Sequence, residues 1–202
     1  MCLLKWIIVP FMKLFVYESK GFNNIPKQGP VILAINHSSY IDAVLIRYFT
    51  DWLTGRMPRG IQSKEWIGES WFRRFIFLTI LKQIPTNGSV ERAIEALVKG
   101  EMLMIFPEGG RSPDGKIQKC THKGLGVLAE ATGAQVIPIG IKGTYDWWPR
   151  QNSLPKLYKF RSITIKAGKP MKFKGKKSDK NFLAFQNKIM QKVANLAGTK
   201  YK

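Results

Sequence analysis

The sequence predicts an α/β fold in which helices flank a central, mostly buried β-sheet. Three observations carry this. Short, continuous apolar runs recur at residues 31–35 (VILAI), 102–106 (MLMIF) and 136–141 (VIPIGI), the pattern of strands covered on both faces. Segments with helical spacing alternate with them, which is the order of elements in a parallel sheet. The 202 residues suffice for one domain with a real core and not comfortably for two.

Taken in order, residues 3–17 (LLKWIIVPFMKLFVY) form an apolar segment interrupted by Lys5, Pro10 and Lys13. As a helix it would be roughly 22 Å long at ~1.5 Å per residue, short of the ~30 Å hydrocarbon core of a bilayer. No small-residue cleavage site follows it, only Glu18, Ser19 and Lys20, which argues against a signal peptide. It reads as an interfacial helical anchor, with Trp6 and Phe11 among lipid headgroups and the lysines reaching water. The competing reading is a helix packed on the core. Residues 1–24 are therefore set apart as a membrane-associating segment, with the folded domain over 25–202.

Residues 24–30 are rich in turn formers, and 31–35 make the first buried strand. A polar stretch over 36–40 leads into a helical pattern at 41–48. Residues 66–81 combine Trp71, Phe72 and Phe75 with Arg73 and Arg74, suggesting an amphipathic helix or helix pair. Residues 89–99 (SVERAIEALVK) begin with Ser and stop at Gly100, which predicts a helix. The strand at 102–106 ends on Pro107. A helix follows over 123–132, closed by Gly133, then the strand at 136–141. Pro138 lacks the N–H that a central strand donates, so this strand should be bulged or edge-like there. Residues 162–167 (SITIKA) alternate as a fourth strand, and 182–196 form a terminal amphipathic helix.

Charge narrows the partners. Lys and Arg number 33 against 13 Asp and Glu, a net +20. Residues 156–202 hold fourteen basic residues and one acidic residue, Asp179. Such a field implies a polyanion: nucleic acid, an anionic membrane surface or an acidic protein. The tail has no stacking-aromatic pattern or RNA-binding motif, which counts against nucleic acid. The apolar N-terminus, the aromatic stretch and the cationic tail would suit one shared membrane-facing surface. Two cysteines, Cys2 and Cys120, make no disulfide framework, which favours a reducing compartment.

Two polar clusters follow two of the apolar strands, where α/β proteins place ligands. The first is Asn36-His37-Ser38-Ser39-Tyr40-Ile41-Asp42. Histidine takes a proton from an alcohol near neutral pH, and a positioned base contributes roughly 10²–10⁴-fold. On one helix, residues five apart lie about 140° from each other, so His37 meets Asp42 only if His37 is in the loop and Asp42 in the first helical turn. Asp42 would then hold the imidazole tautomer. Alternatively, Ser39-x-x-Asp42 is a capping box that only closes the helix.

The second cluster is Phe106-Pro107-Glu108-Gly109-Gly110-Arg111-Ser112. Gly109 and Gly110 allow backbone N–H groups close to an anion, and Arg111 offers a bidentate fork for phosphate. Glu108 would accept from ligand hydroxyls or orient Arg111. A plain surface turn with a salt bridge is the other reading. A serine hydrolase would need a G-x-S-x-G elbow, which the chain lacks.

Together the clusters resemble the 1-acyl-glycerol-3-phosphate (lysophosphatidic acid) acyltransferase family. The likeness extends to Gly29-Pro30, Lys64-Glu65, Lys123-Gly124 and the 136–141 block, covering about residues 25–145. The resemblance implies the glycerol-3-phosphate acyltransferase-like α/β fold and an acyl transfer from acyl-CoA or acyl-carrier protein to a lysophospholipid acceptor. It implies His37 as base, Asp42 as its orienting carboxylate, and Glu108, Gly109, Gly110, Arg111, Lys64 and Ser39 around the substrate. Oxyanion donors would be backbone N–H groups. No cofactor and no metal are expected, and no nucleic acid. The implied location is the cytoplasmic face of a membrane, peripheral or monotopic, without a full span. In one respect the chain departs: Gly88 follows Ile84-Pro85-Thr86-Asn87 where the family usually has a phosphate-binding arginine. Lys64, Arg92 or a tail lysine would have to replace it, or the acceptor is another one. A related acyltransferase with a different acceptor, or a non-catalytic relative that binds anionic lipid, are the competing functions.

Overall fold

The computed structural model describes residues 5–62, 84–85, 89–120, 122–151, 156 and 160–201. Lys64, the aromatic stretch at 66–81 and Gly88 lie outside the described residues. Seven strands form one sheet: β1 (Val16–Lys20), β2 (Val31–Ile35), β3 (Arg59–Gln62), β4 (Ile84–Pro85), β5 (Met102–Ile105), β6 (Gln135–Lys142) and β7 (Ile163–Ala167). Their spatial order is β1-β7-β6-β2-β5-β3-β4. Every adjacent pair is parallel except β6 and β7.

The helices are α1 (Lys5–Lys13), α2 (Asp42–Thr54), α3 (Ser89–Val98), α4 (Gly124–Thr132), α5 (Thr144–Trp147) and α6 (Asp179–Ala197). Helix α2 runs past the expected end at residue 48 until Gly55 turns left-handed at φ 71° and donates to Asp51 O. Helix α6 starts early because the Ser178 side chain accepts from the Asn181 N–H and caps it.

The apolar runs are buried on both faces because both faces are covered. Val31, Leu33 and Ile35 of β2 point with Ile137 and Ile139 into a core shared with α1 and α2. Ile32 and Ala34 point with Leu103 and Val136 into the opposite core, built on α3, α4 and α6. This is the two-residue period of a strand, with every residue of VILAI in one core or the other.

Three sequence expectations are corrected here. The N-terminal segment is not one helix: α1 stops at Lys13, and residues from Val16 form β1, in parallel register with β7. Val9, Met12 and Phe15 are buried against α2 and β7 residues, so a boundary at residue 24 divides elements that share one core. Second, α1 and α6 occupy opposite faces of the sheet, so the N-terminal segment and the lysine-rich terminal helix do not share one flat surface. Third, Pro138 keeps its place in β6, in register opposite Ala34 of β2. The irregularity falls on the return after β7 instead. Gly168 N–H donates to Pro138 O, while Met171 and Val136 exchange both bonds. Two residues, Lys169 and Pro170, thus oppose Ile137 alone, which is a bulge on the partner chain.

The topology fixes where the loops emerge. Ala34 lies beside Ile105 in the parallel pair β2–β5, so both polar clusters leave the same end of neighbouring strands.

Candidate active site

Asn36 sits just past β2 and ties it to β6 with both ends of its amide: Nδ2 donates to Ile141 O at 2.9 Å and Oδ1 accepts from Ile141 N–H at 2.8 Å. The chain then turns sharply into α2, and Asp42 is the first residue of that helix. Its Oδ2 gathers three groups: His37 Nδ1 at 2.9 Å, and the Ser38 and Ser39 N–H groups at 2.7 Å each. The bond from Ser39 N–H is half of a capping box; in place of the reciprocal half, Ser39 Oγ accepts from the Ile41 N–H at 3.4 Å and donates to Trp148 O at 2.6 Å. Capping and orientation therefore share one carboxylate oxygen. Asp42 Oδ1 is buried and has no hydrogen-bond partner among the described residues.

His37 is held on every side. Its N–H donates to Glu108 Oε1 at 2.7 Å, its carbonyl accepts from the Ser112 N–H at 2.8 Å, and its ring stacks on Phe106 with centroids 4.0 Å apart. A hydrogen on Nδ1 donates to Asp42, which leaves the lone pair on Nε2. The side chain keeps 17% of its surface exposed while that of Asp42 has none. A fixed imidazole with a buried carboxylate behind it and an accessible edge is the geometry of a general base.

Glu108 plays a different part from the one expected. Both its oxygens are occupied by backbone donors, Oε1 by His37 and Oε2 by the Gln118 N–H at 2.7 Å. It joins the two clusters and pins the returning segment to them. Burial pushes its carboxyl up to about 7, against the opposing pull of those two hydrogen bonds. Ser39 is likewise internal, fully buried with its hydroxyl committed to Trp148, so it supports the loop and does not face a ligand.

Gly109 adopts φ +76°, the left-handed turn that lets its N–H donate to Phe106 O. Beyond it the Arg111 guanidinium carbon lies 3.7 Å from the centre of the Tyr40 ring, a cation–π contact that joins the second loop to the first. Sequence reasoning missed four participants: Tyr40, Gln118, Trp148 and His122. The His122 ring lies against Gly109, and Gly109 and His122 both border an apolar hollow of about 140 Å³ with Phe106, Leu125 and Leu128. These contacts join segments far apart in the chain, the two loops, the return that carries Gln118 and His122, and the end of α5 at Trp148, so no local pattern could have announced them.

Residues 17–142 match the family model described as Acyltransferase. The chain belongs to the acyltransferase family. Among its relatives is a chloroplastic 1-acyl-sn-glycerol-3-phosphate acyltransferase of Arabidopsis thaliana, 30% identical over 141 residues, 68% of this chain and 38% of that protein. A 1-acyl-sn-glycerol-3-phosphate acyltransferase of Pseudomonas aeruginosa is 30% identical over 143 residues, 66% of this chain and 52% of the relative. The chain thus spans about two fifths to one half of these relatives. The crystal structure of the 1-acyl-sn-glycerophosphate acyltransferase PlsC from Thermotoga maritima superposes with a TM-score of 0.70 at 23% identity, covering 98% of this chain and 83% of that one. The likeness establishes a shared fold.

Proposed function

We propose that this acyltransferase moves a fatty acyl group from a thioester to the free hydroxyl of 1-acyl-glycerol-3-phosphate, forming phosphatidic acid. The observation that carries the reading is His37 clamped by Asp42 at 2.9 Å with Nε2 left open, beside the loop that bears Arg111. The names of the relatives support the choice of acceptor.

In the transfer, His37 Nε2 accepts the acceptor's hydroxyl proton as its oxygen attacks the thioester carbonyl. The new C–O bond forms, the C–S bond breaks, and the proton passes from the imidazolium to the departing thiolate. Asp42 Oδ2 stabilises the transient imidazolium. Arg111 receives the acceptor's phosphate. The donor is acyl-CoA or an acylated carrier protein, and the enzyme needs no metal or cofactor for these steps.

The protein docks on the cytoplasmic face of an anionic membrane through α1 and its surroundings. Trp6, Ile7, Phe11 and Leu14 are each at least 49% exposed, joined by Leu53 of α2 and by Phe160. An apolar patch of this kind beside lysines suits an interfacial anchor. Among the described residues, no helix is long and apolar enough to cross a membrane.

The test is thiol release from a palmitoyl thioester with three acceptors: lysophosphatidic acid, glycerol-3-phosphate and a phosphate-free monoacylglycerol. Release that depends on lysophosphatidic acid is the expected result. Release only with another acceptor moves the substrate and keeps the chemistry; none with any acceptor overturns the enzymatic reading in favour of a lipid-binding relative.

A further inference from the structure

A phosphomonoester carries about −1.5 to −2 charges near neutral pH, so a single guanidinium leaves it unmatched. The surroundings add negative groups, since Asp42 and Asp114 both lie on or beside these loops. His37 has to be neutral to act as a base. A second donor is needed next to Arg111, and the described residues offer one that the transfer steps leave unused.

The ring of His122 lies over Gly109. A Cβ built on that glycine would meet His122 Cδ2 at 3.3 Å and Nε2 at 3.6 Å, whereas one built on Gly110 would meet nothing within 4 Å. Gly109 and Arg111 are two residues apart, so their α-carbons are within about 7 Å, and among the described residues nothing fills the space beside Gly110.

The placement of His122 is fixed from behind. Gln186 of α6, 1% exposed, donates from Nε2 to the His122 carbonyl and accepts at Oε1 from the Leu125 N–H at 3.3 Å. The neighbouring cation, Lys123, is held by Asp179. Arg92, another cation with the potential to serve, is exposed on α3.

We infer that His122 is a second ligand for the acceptor's phosphate, its ring N–H acting with Arg111 on either side of the Gly109–Gly110 turn. The inference rests on the phosphorylated acceptor proposed above. It assigns the role of the arginine missing at position 88 to a residue 34 positions later in the chain.

The experiment has two readouts on the whole chain. In the first, KM and kcat are measured for lysophosphatidic acid and for monoacylglycerol with wild type, His122→Ala and His122→Lys. His122→Ala should raise KM for lysophosphatidic acid about tenfold, the scale of one charged hydrogen bond, while kcat moves far less. The preference for lysophosphatidic acid over monoacylglycerol should fall with it, and His122→Lys should restore it. In the second, glycerol-3-phosphate is added while the ring-proton NMR signals of the two histidines, assigned with His122→Ala, are followed. The His122 signal should shift. A wild type that acylates lysophosphatidic acid while His122→Ala leaves KM unchanged, or lowers the rate equally with both acceptors, overturns the inference and spares the function. A His122 signal that moves in a protein with no transfer activity overturns the function and spares the phosphate site, and a signal that stays still overturns the site.

Discussion

Three donors converge on Asp42 Oδ2, so a change there acts on the loop and on the imidazole together. Asp42→Asn keeps an acceptor but brings an amide NH2 either against those donors or into the buried position of Oδ1. It should lower the transfer rate by about 10²–10⁴-fold through loss of the oriented tautomer and the unfolding free energy by about 1–3 kcal/mol. Activity assays with urea unfolding check both. Glu108 gives a pH prediction. Its carboxyl is raised from 4.5 to about 7 by burial, so between those values the folded chain holds a proton that the unfolded chain releases. Its contribution to stability is therefore full below about pH 4.5 and is lost as pH rises through about 7. Urea unfolding at pH 5 and pH 8 should show a difference in this direction that shrinks in Glu108→Gln. At this scale His37 and Asp42 were legible because they lie within six residues of each other. The Glu108 bond to His37 spans 71 residues and was not.

At the scale of elements, close approach decides where glycine stands. A Cβ on Gly140 of β6 would come within 2.6 Å of Leu196 C and still closer to Ala197 N, both backbone atoms at the end of α6. Gly140→Ala must push that helix off the sheet. A loss of about 1–3 kcal/mol is expected, visible as a lower urea midpoint with an unchanged slope. Fully buried strands were legible as continuous apolar runs. Strand β1 was not, because VYESK alternates partly exposed residues directly after an apolar helix and its partner lies at the other end of the chain. Strands β3 and β4 were missed too: four and two residues long, they are too short to show a period.

For the whole molecule, the separation of α1 and α6 on opposite sheet faces divides the two attractions that the proposed membrane docking calls on. In the proposed docking the exposed side chains of α1 would insert, while the lysines around α6, including Lys172, Lys174 and Lys188 about a 300 Å³ hollow, would contribute a general positive field. Ile7→Asp with Phe11→Asp should therefore abolish cosedimentation with anionic vesicles while leaving the fold intact, since both side chains are at least 49% exposed. Raising salt should weaken binding of wild type without eliminating it, because screening acts on the charges and not on the apolar insertion. The charge was plain in the composition, whereas its placement behind the sheet depends on how α6 crosses β6.

The most direct measurement is the rate of phosphatidic acid formation from a palmitoyl thioester and lysophosphatidic acid by wild type and by His37→Ala, with thermal unfolding of both. Loss of about 10³-fold or more in rate with an unchanged unfolding temperature is the expected result. Comparable product formation by the folded His37→Ala variant would contradict the assignment of His37 as the base.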